Sequence, residues 1–352
     1  MNSLYAIAGL GFLATFVATY AIAKVAIVKG YIDTPGGHKN HSITAAPIGG
    51  LAIFCVVLIG TLLAQPNTDD GYFLAAVALL VGAGALDEHF ELGVLPRILI
   101  EFFASFIMAF GAGIVLSHFG NLFGFGVVYL AFPVGLLFTA IAVFGTINAW
   151  NMIDGIDGLA ATMAILSISS FLLVTAGHED LPVAVYLIYG GLFAFLCFNF
   201  SNGNGVLPKV FLGDAGSKLI GFCLVWFMIR DTQGEGLNFK PATALFVMGL
   251  PIMDMTTTVL HRLQRRQSPF SPDRTHLHHV LMAQGLSRLQ VYWVIVTIAL
   301  SLHATGVLLH LYQVAGYLQF GVYILFYVIY HVVLSGRKKR MSEGDELTLG
   351  AS

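Results

Sequence analysis

Charge is what this sequence has least of. Only 10% of its 352 residues are Asp, Glu, Lys or Arg, while 57% are hydrophobic and mean hydropathy is +0.82. Ordinary soluble domains carry roughly 25% charged residues, so this composition excludes that class and points to a polytopic membrane protein. Cysteine is nearly absent too. Cys55, Cys197 and Cys223 fall inside apolar runs, too far apart for a metal spacing and unsuited to a disulfide framework, and read as packing residues. No internal repeat, low-complexity linker or separate extramembrane domain is visible. One basic cluster, Arg337 to Arg340, follows the last apolar run and reads as a topology anchor. No nucleic-acid partner is expected.

Apolar runs broken by polar segments predict an all-α chain with about eleven spans, each needing roughly 20 residues to cross hydrocarbon. They fall near 3–23, 47–64, 72–86, 98–117, 127–147, 159–177, 183–200, 218–230, 241–260, 290–310 and 316–335. Two are short. The third is confined between Asp70 and Asp87 and the eighth between Lys218 and Arg230, so ten spans remain an alternative. The first run carries no charge before it and has Lys24 and Lys29 after it, which reads as a retained span with its amino end outside rather than a cleaved signal. Residues 1–335 are expected to form one multi-span domain, and 336–352 a basic, disordered tail.

With that topology, fifteen of the seventeen Lys and Arg residues lie on one face, and only Arg230 and Lys240 on the other. The crowded face is therefore assigned to the cytoplasm. Nearly all unusual polar chemistry lies there as well, in "DTPGGHKNHSITAAPIGG" (33–50), "LDEHFELGVLPR" (86–97), "NAWNMIDGIDG" (148–158), "VFLGDAGS" (210–217) and "RRQSPFSPDRTHLHH" (265–279). Loops on the other face are short and plain. Five such segments on one side predict a single composite site at the cytoplasmic membrane surface; scattered solvated loops are the alternative.

The residue types suggest what the site handles. Asn148, Asn151, Asp154 and Asp157 recur every three residues. On an α-helix each step turns the side chain about 300°, a backward drift of about 60°, so neighbours share a face but Asn148 and Asp157 do not. Gly155 and Gly158 predict a helix end that curls these groups around a ligand. Oxygen donors without paired cysteines suit Mg²⁺ or Mn²⁺ shared with substrate phosphates. Asp214, flanked by glycines before a span, combines a carboxylate with the N–H groups of a helix start. Arg274 offers a planar fork for phosphate, and His276, His278 and His279 offer donors beside it. A zinc role for the histidines is the alternative, opposed by the missing ligand set and the adjacent arginine. Asp87 and Glu88 at a span end are candidates for a general base, or else a helix cap.

In order and spacing, "DTPGGHKNHSITAAPIGG", "GALDEHFELG", "NAWNMIDGIDGLAA", "VFLGDAGSKLIGF", "PIMDM" and "SPFSPDRTHLHHVL" resemble the polyprenyl-phosphate N-acetylhexosamine-1-phosphate transferase family. The resemblance implies a multi-pass enzyme of the bacterial inner (plasma) membrane with its active site on the cytoplasmic face. Its amino terminus would be periplasmic and its carboxyl terminus cytoplasmic. Such an enzyme moves N-acetylglucosamine 1-phosphate from UDP-N-acetylglucosamine to undecaprenyl phosphate and releases UMP. The lipid-linked product starts cell-surface polysaccharide synthesis. By motif, Asn151 and Asp214 would hold Mg²⁺ or Mn²⁺. Asp154 and Asp157 would be catalytic carboxylates lining the nucleotide pocket, and Asp87 would deprotonate the lipid phosphate beside Glu88. Asn148, Arg274, His276, His278 and His279 would bind substrate. Glu88 departs from the family, which usually has a second aspartate there. Phospho-N-acetylmuramoyl-pentapeptide or another UDP-hexosamine remains an alternative donor, and an ion-coupled transporter or lipid flippase an alternative class. Membrane lipid is an expected partner, and a homodimer is left open.

The charge count makes the topology testable. Cysteines introduced near 150 or 275 should resist impermeant labelling from outside, and a reporter fused at the carboxyl terminus should be active only in the cytoplasm.

Overall fold

In hydrocarbon no water meets a backbone N–H or C=O, so apolar runs of near-membrane length satisfy their own backbone as helices. The computed structural model describes residues 2–32, 45–176, 181–203, 205–233, 239–269 and 275–349, with side chains from Tyr5 to Arg337. Twelve helices occupy these residues: α1 (Asn2–Val28), α2 (Gly49–Leu63), α3 (Thr68–Phe90), α4 (Val94–Phe106, continued by a π-helical turn at Ile107–Gly111), α5 (Phe132–Ile153), α6 (Leu159–Val174), α7 (Val183–Asn199), α8 (Gly213–Gln233), α9 (Pro241–Gln264), α10 (Leu277–Ala283), α11 (Arg288–Leu311) and α12 (Gly316–Leu349). Among the described residues there are no strands, only isolated bridges at Ala46–Val210 and His118–Tyr129.

The protein is a multi-pass membrane protein. Among the described residues, seven helices are long and apolar enough to cross a bilayer, and α2, α6 and α7 are apolar but shorter. Each expected apolar run became a helix; α10 is additional. The short third run belongs to the long group, because α3 extends past its apolar centre at both ends. At its start Asn67 and Asp70 cap each other reciprocally, the Asp70 N–H donating to Asn67 at 2.9 Å and the Asn67 N–H to Asp70 at 3.1 Å. The fifth helix begins later than expected, at Phe132 with Pro133 in its first turn, and therefore runs on through Asn148 and Asn151 to Ile153. The segment 336–349, read above as a disordered tail, continues the helical backbone of α12.

Helix α8, the other short run, lies at the centre. Nearly every side chain from Ala215 to Ile229 is buried, against α2, α3, α5, α6 and α9. Its polar ends need no lipid-facing length because protein surrounds them. Two features fix where α8 begins. The strand-like segment before it pairs with the segment before α2: the Phe211 N–H donates to the Ala46 carbonyl at 3.0 Å, and the first amides of α2, Gly49 and Gly50, donate to the carbonyls of Phe211 and Leu212 at 3.0 and 2.9 Å. The helices then touch through glycine. A Cβ at Gly84 of α3 would lie 2.5 Å from the Ala215 backbone, and one at Gly50 of α2 would overlap Gly216.

That contact gives a stability prediction. Gly84→Ala should lower the unfolding temperature in detergent, since overpacking a filled contact costs typically about 1–3 kcal/mol. Gly82→Ala, two residues earlier on the opposite face of α3 with nothing within 4 Å of its Cβ, should hold or raise it, because alanine is the better helix former.

Candidate active site at the ends of α3, α5 and α8

The ends of α3 and α5 and the start of α8 converge on one cleft of about 840 Å³. Asp87, Glu88, Asn151, Asp154, Asp157 and Asp214 all line it, so four of the five polar segments predicted to meet contribute to one region, counting Pro47 beside them. Asn151 lies in the last turn of α5, and Asp154 is its C-terminal cap residue. The chain then turns through Gly155 to Gly158, whose φ of +72° is the left-handed conformation that glycine adopts freely, and enters α6. This is the curling helix end the spacing predicted.

Helix α8 starts inside protein, where its first amides need acceptors other than water. Glu88 reaches across from α3 to supply one: its Oε1 accepts from the Asp214 N–H at 2.5 Å, while its Oε2 accepts from the Tyr31 hydroxyl at 3.1 Å. Glu88 thus caps a neighbouring helix, and a negative charge there is favoured by the helix dipole. Burial, reinforced by the Glu88 charge and hydrogen bond, pushes the Tyr31 hydroxyl up to about 12, so it remains a donor. Asp214 in the first turn of α8 is in turn held by Asn151, whose Nδ2 donates to Asp214 Oδ1 at 2.9 Å and to Ser217 Oγ at 3.1 Å.

Asp87 is buried and heavily engaged. Its Oδ1 accepts from the Leu92 N–H at 2.9 Å, and its Oδ2 faces Arg97 Nε at 2.8 Å and Lys218 Nζ at 3.3 Å. Asp157 is half exposed and paired with the buried Lys209 at 2.8 Å; Lys209 also donates to the Asn199 carbonyl. Asp154 opens into the cleft and, among the described residues, has no ion-pair partner such as those of Asp87 and Asp157. Loss of bulk water in the recess, then the charges of Asp214, Asp157 and Glu88, hold its carboxyl well above the usual range.

The remaining expected residues are placed differently. Asn148 does not line the cleft; its amide donates to Glu101 on α4 and to the Phe144 carbonyl, each at 2.8 Å. The drift along α5 had already separated it from Asp157, and the structure turns it into the helix bundle. Arg274 lies outside the described residues. His276 is buried, its Nδ1 2.8 Å from Asp254 Oδ2; Asp254 also accepts from the Leu277 N–H at 3.0 Å and the Tyr330 hydroxyl at 2.6 Å. His278 stacks between His276 and His279, and its Nε2 fills the space that a Cβ at Gly155 would take. The histidine motif therefore backs directly onto the acidic turn. Burial, with the nearby His279 charge, pushes His278 down to about 3, so the ring works as a neutral group.

Sequence reasoning missed the cations and Tyr31. Lys209, Lys218 and Arg97 were read only as topology charges, although buried carboxylates in a membrane demand partners and these three flank the acidic motifs. A divalent metal fits what is present. Among the described residues no three His, Cys, Asp or Glu groups converge as a closed metal cluster. The histidines are committed to Asp254 and to one another, against the zinc alternative. The Asn151–Asp214 pair, facing a cleft lined by the carboxyl groups of Glu88, Asp154 and Asp157, matches a hard cation held by one or two protein oxygens and completed by phosphate.

Comparison with known proteins agrees with this geometry. Residues 71–231, from α3 to the end of α8, match the family model described as glycosyl transferase family 4. The undecaprenyl-phosphate alpha-N-acetylglucosaminyl 1-phosphate transferase of Yersinia pestis is 35% identical over 296 residues, covering 83% of this chain and 80% of the relative. Its counterpart in Escherichia coli O157:H7 is 33% identical over 303 residues, covering 84% and 81%. That of Haemophilus influenzae is 31% identical over 337 residues, covering 94% of each. With such relatives matched over four fifths or more of their length, and with Asp87, Glu88, Asn151, Asp154, Asp157 and Asp214 inside the region matched by the family model, the chain belongs to glycosyl transferase family 4, among the polyprenyl-phosphate N-acetylhexosamine-1-phosphate transferases.

Proposed function

We propose that this protein transfers N-acetylglucosamine 1-phosphate from UDP-N-acetylglucosamine to undecaprenyl phosphate, releasing UMP and leaving the sugar on a lipid pyrophosphate. The observation that carries the reading is the acidic cleft at the ends of α3, α5 and α8, in a chain 31–35% identical to relatives with that name. Membrane helices keep the acceptor's tail in lipid while its phosphate meets a soluble nucleotide sugar. We place the protein in the bacterial inner membrane, amino terminus outside and carboxyl terminus in the cytoplasm, as the basic-residue asymmetry requires.

Asn151 and Asp214 would hold Mg²⁺ or Mn²⁺, which when bound supplies charge neutralisation on the donor's pyrophosphate and on the UMP that leaves. The other work falls to the chain. Asp154 and Asp157 border the nucleotide's place, with Lys209 fixing Asp157. Glu88 and Tyr31 hold the start of α8, and with it Asp214, in place. Asp87 is the candidate base for the acceptor phosphate. Two cations, Arg97 and Lys218, engage its Oδ2, and an arriving phosphate is a group that can draw one of them away and free that oxygen. His278 and His279 support the Gly155 turn from behind. The cell-surface polysaccharide step follows from the product, a sugar carried on the lipid to which further sugars can be added.

Release of UMP from a panel of UDP-sugars with undecaprenyl phosphate tests this directly. UDP-N-acetylglucosamine should be the active donor, EDTA should abolish turnover, and Mg²⁺ or Mn²⁺ should restore it. Asp214→Asn should cost about 10²-fold or more, the scale of losing a key electrostatic group, with folded yield unchanged. Activity only with the muramoyl-pentapeptide donor, or restoration by Zn²⁺ alone, would contradict the assignment.

The paired acids separate by role. Asp87→Asn should depress kcat by about 10²-fold or more while UDP-sugar binding is retained, as expected for a group that acts in the transition state. Glu88→Asp is too short to keep both the α8 amide and Tyr31, and should lose about tenfold, near 1.4 kcal/mol. Nucleotide-sugar binding measured beside turnover distinguishes them; near-parent turnover of Asp87→Asn would remove the base role.

A further inference from the structure

An apolar groove of about 330 Å³ runs between α11 and α12 and shares no lining residue with the acidic cleft. Helix α11 walls it with Val294 and Ile298, and α12 with Phe326, Tyr330 and Val333, each set on one helix face. Its rims are open, with Ile298 and Val333 exposed, whereas Met253 of α9 and Leu281 of α10 close the floor and are buried. One turn beyond Val333, the same face of α12 presents Arg337 at the end of the groove. Arg337 donates to Oε1 of Gln284, the residue that ends α10, at 2.6 Å.

We propose that this groove seats an acyl chain of an anionic phospholipid, with the lipid phosphate on Arg337. Shape selects the chain. The stripe from Phe326 to Arg337 rises roughly 16 Å, and a slot of this volume drawn out over that length takes a hydrocarbon chain, not another helix, which is about 10–12 Å across. Charge selects the headgroup. Gln284 is a neutral partner, so the guanidinium keeps its charge for an anion, and its planar fork matches phosphate. Lys338, Lys339 and Arg340 follow directly in the sequence, the basic cluster for which the cleft has no use. The basic-residue asymmetry puts this end of α12 at the cytoplasmic leaflet, whose anionic lipids such clusters attract. The acceptor lipid is a poorer occupant, because its phosphate must enter the cleft and the groove has no residue in common with it. The site nevertheless reaches the histidine motif from behind. Tyr330 of the α12 wall donates to Asp254 at 2.6 Å, Asp254 holds His276, and α10 forms part of the floor. A seated chain therefore packs against the elements that support the acidic turn, and its binding does not depend on which sugar the enzyme transfers.

The test uses phosphatidylglycerol carrying a diazirine in one acyl chain, added to the full-length protein in phosphatidylcholine nanodiscs. Irradiation should label α11 residues 294–301 or α12 residues 326–334. Unlabelled phosphatidylglycerol should compete about tenfold better than the same excess of phosphatidylcholine, and inorganic phosphate should not compete. Arg337→Gln should abolish that preference, and Arg337→Lys, which keeps the charge, should retain most of it. Val333→Trp fills the groove and should cut labelling about fivefold or more. Val332→Trp, one residue away on a face that does not line the groove, is the control and should label as the parent does. Labelling confined to other helices, equal competition by phosphatidylcholine, or an unchanged preference in Arg337→Gln would overturn the proposal. So would displacement of the probe by undecaprenyl phosphate in preference to phosphatidylglycerol, or cross-links showing that a second copy of the chain covers α11 and α12.

Discussion

A helix that begins inside a membrane protein must find acceptors for its first amides, and at the start of α8 that requirement organises the site. Glu88 answers it from α3, the glycine contacts at positions 50 and 84 bring the helices close enough for it to reach, and the pairing of 45–50 with 209–212 sets the register. Asp214, one residue into the helix, is thereby aimed at Asn151. The unusual glutamate at position 88 acquires a physical meaning here, since a cap that must span two helices and also meet Tyr31 has use for an extra methylene.

Charge balance is the second constraint. Carboxylates near hydrocarbon are costly unless paired. Asp87 has Arg97 and Lys218, Asp157 has Lys209, and Asp254 has His276 and Tyr330. Asp154, Glu88 and Asp214 share the cleft, with only amide and hydroxyl partners for the last two among the described residues, which is where a cation and a phosphate-bearing ligand would bring the largest electrostatic gain.

The fold was legible because hydropathy reports helices directly: every apolar run became one, and even the third run failed only by treating Asp70 and Asp87 as its limits rather than as residues inside α3. The candidate site was legible to the extent that its members sit at helix ends, where Asp87, Glu88, Asn151, Asp154, Asp157 and Asp214 all meet. What could not be read was pairing. Tyr31 meets Glu88 across 57 residues and Lys218 meets Asp87 across 131, separations that leave no local periodicity. Asn148 shows the opposite failure: its regular three-residue spacing suggested membership, yet helical drift and a partner on α4 took it away from the cleft.

The contact between Gly155 and His278 ties two distant stretches of the chain together. Because the imidazole occupies the room a methyl group would need, the turn and the histidine motif are not free to diverge separately. A homologue that acquires any side chain at 155 must also shorten or rotate residue 278, and through the ring stack adjust 276 and its hold on Asp254. The two motifs are therefore expected to be inherited as a unit, and a chimera that exchanges one of them between distant relatives should inherit a mismatch at this seam.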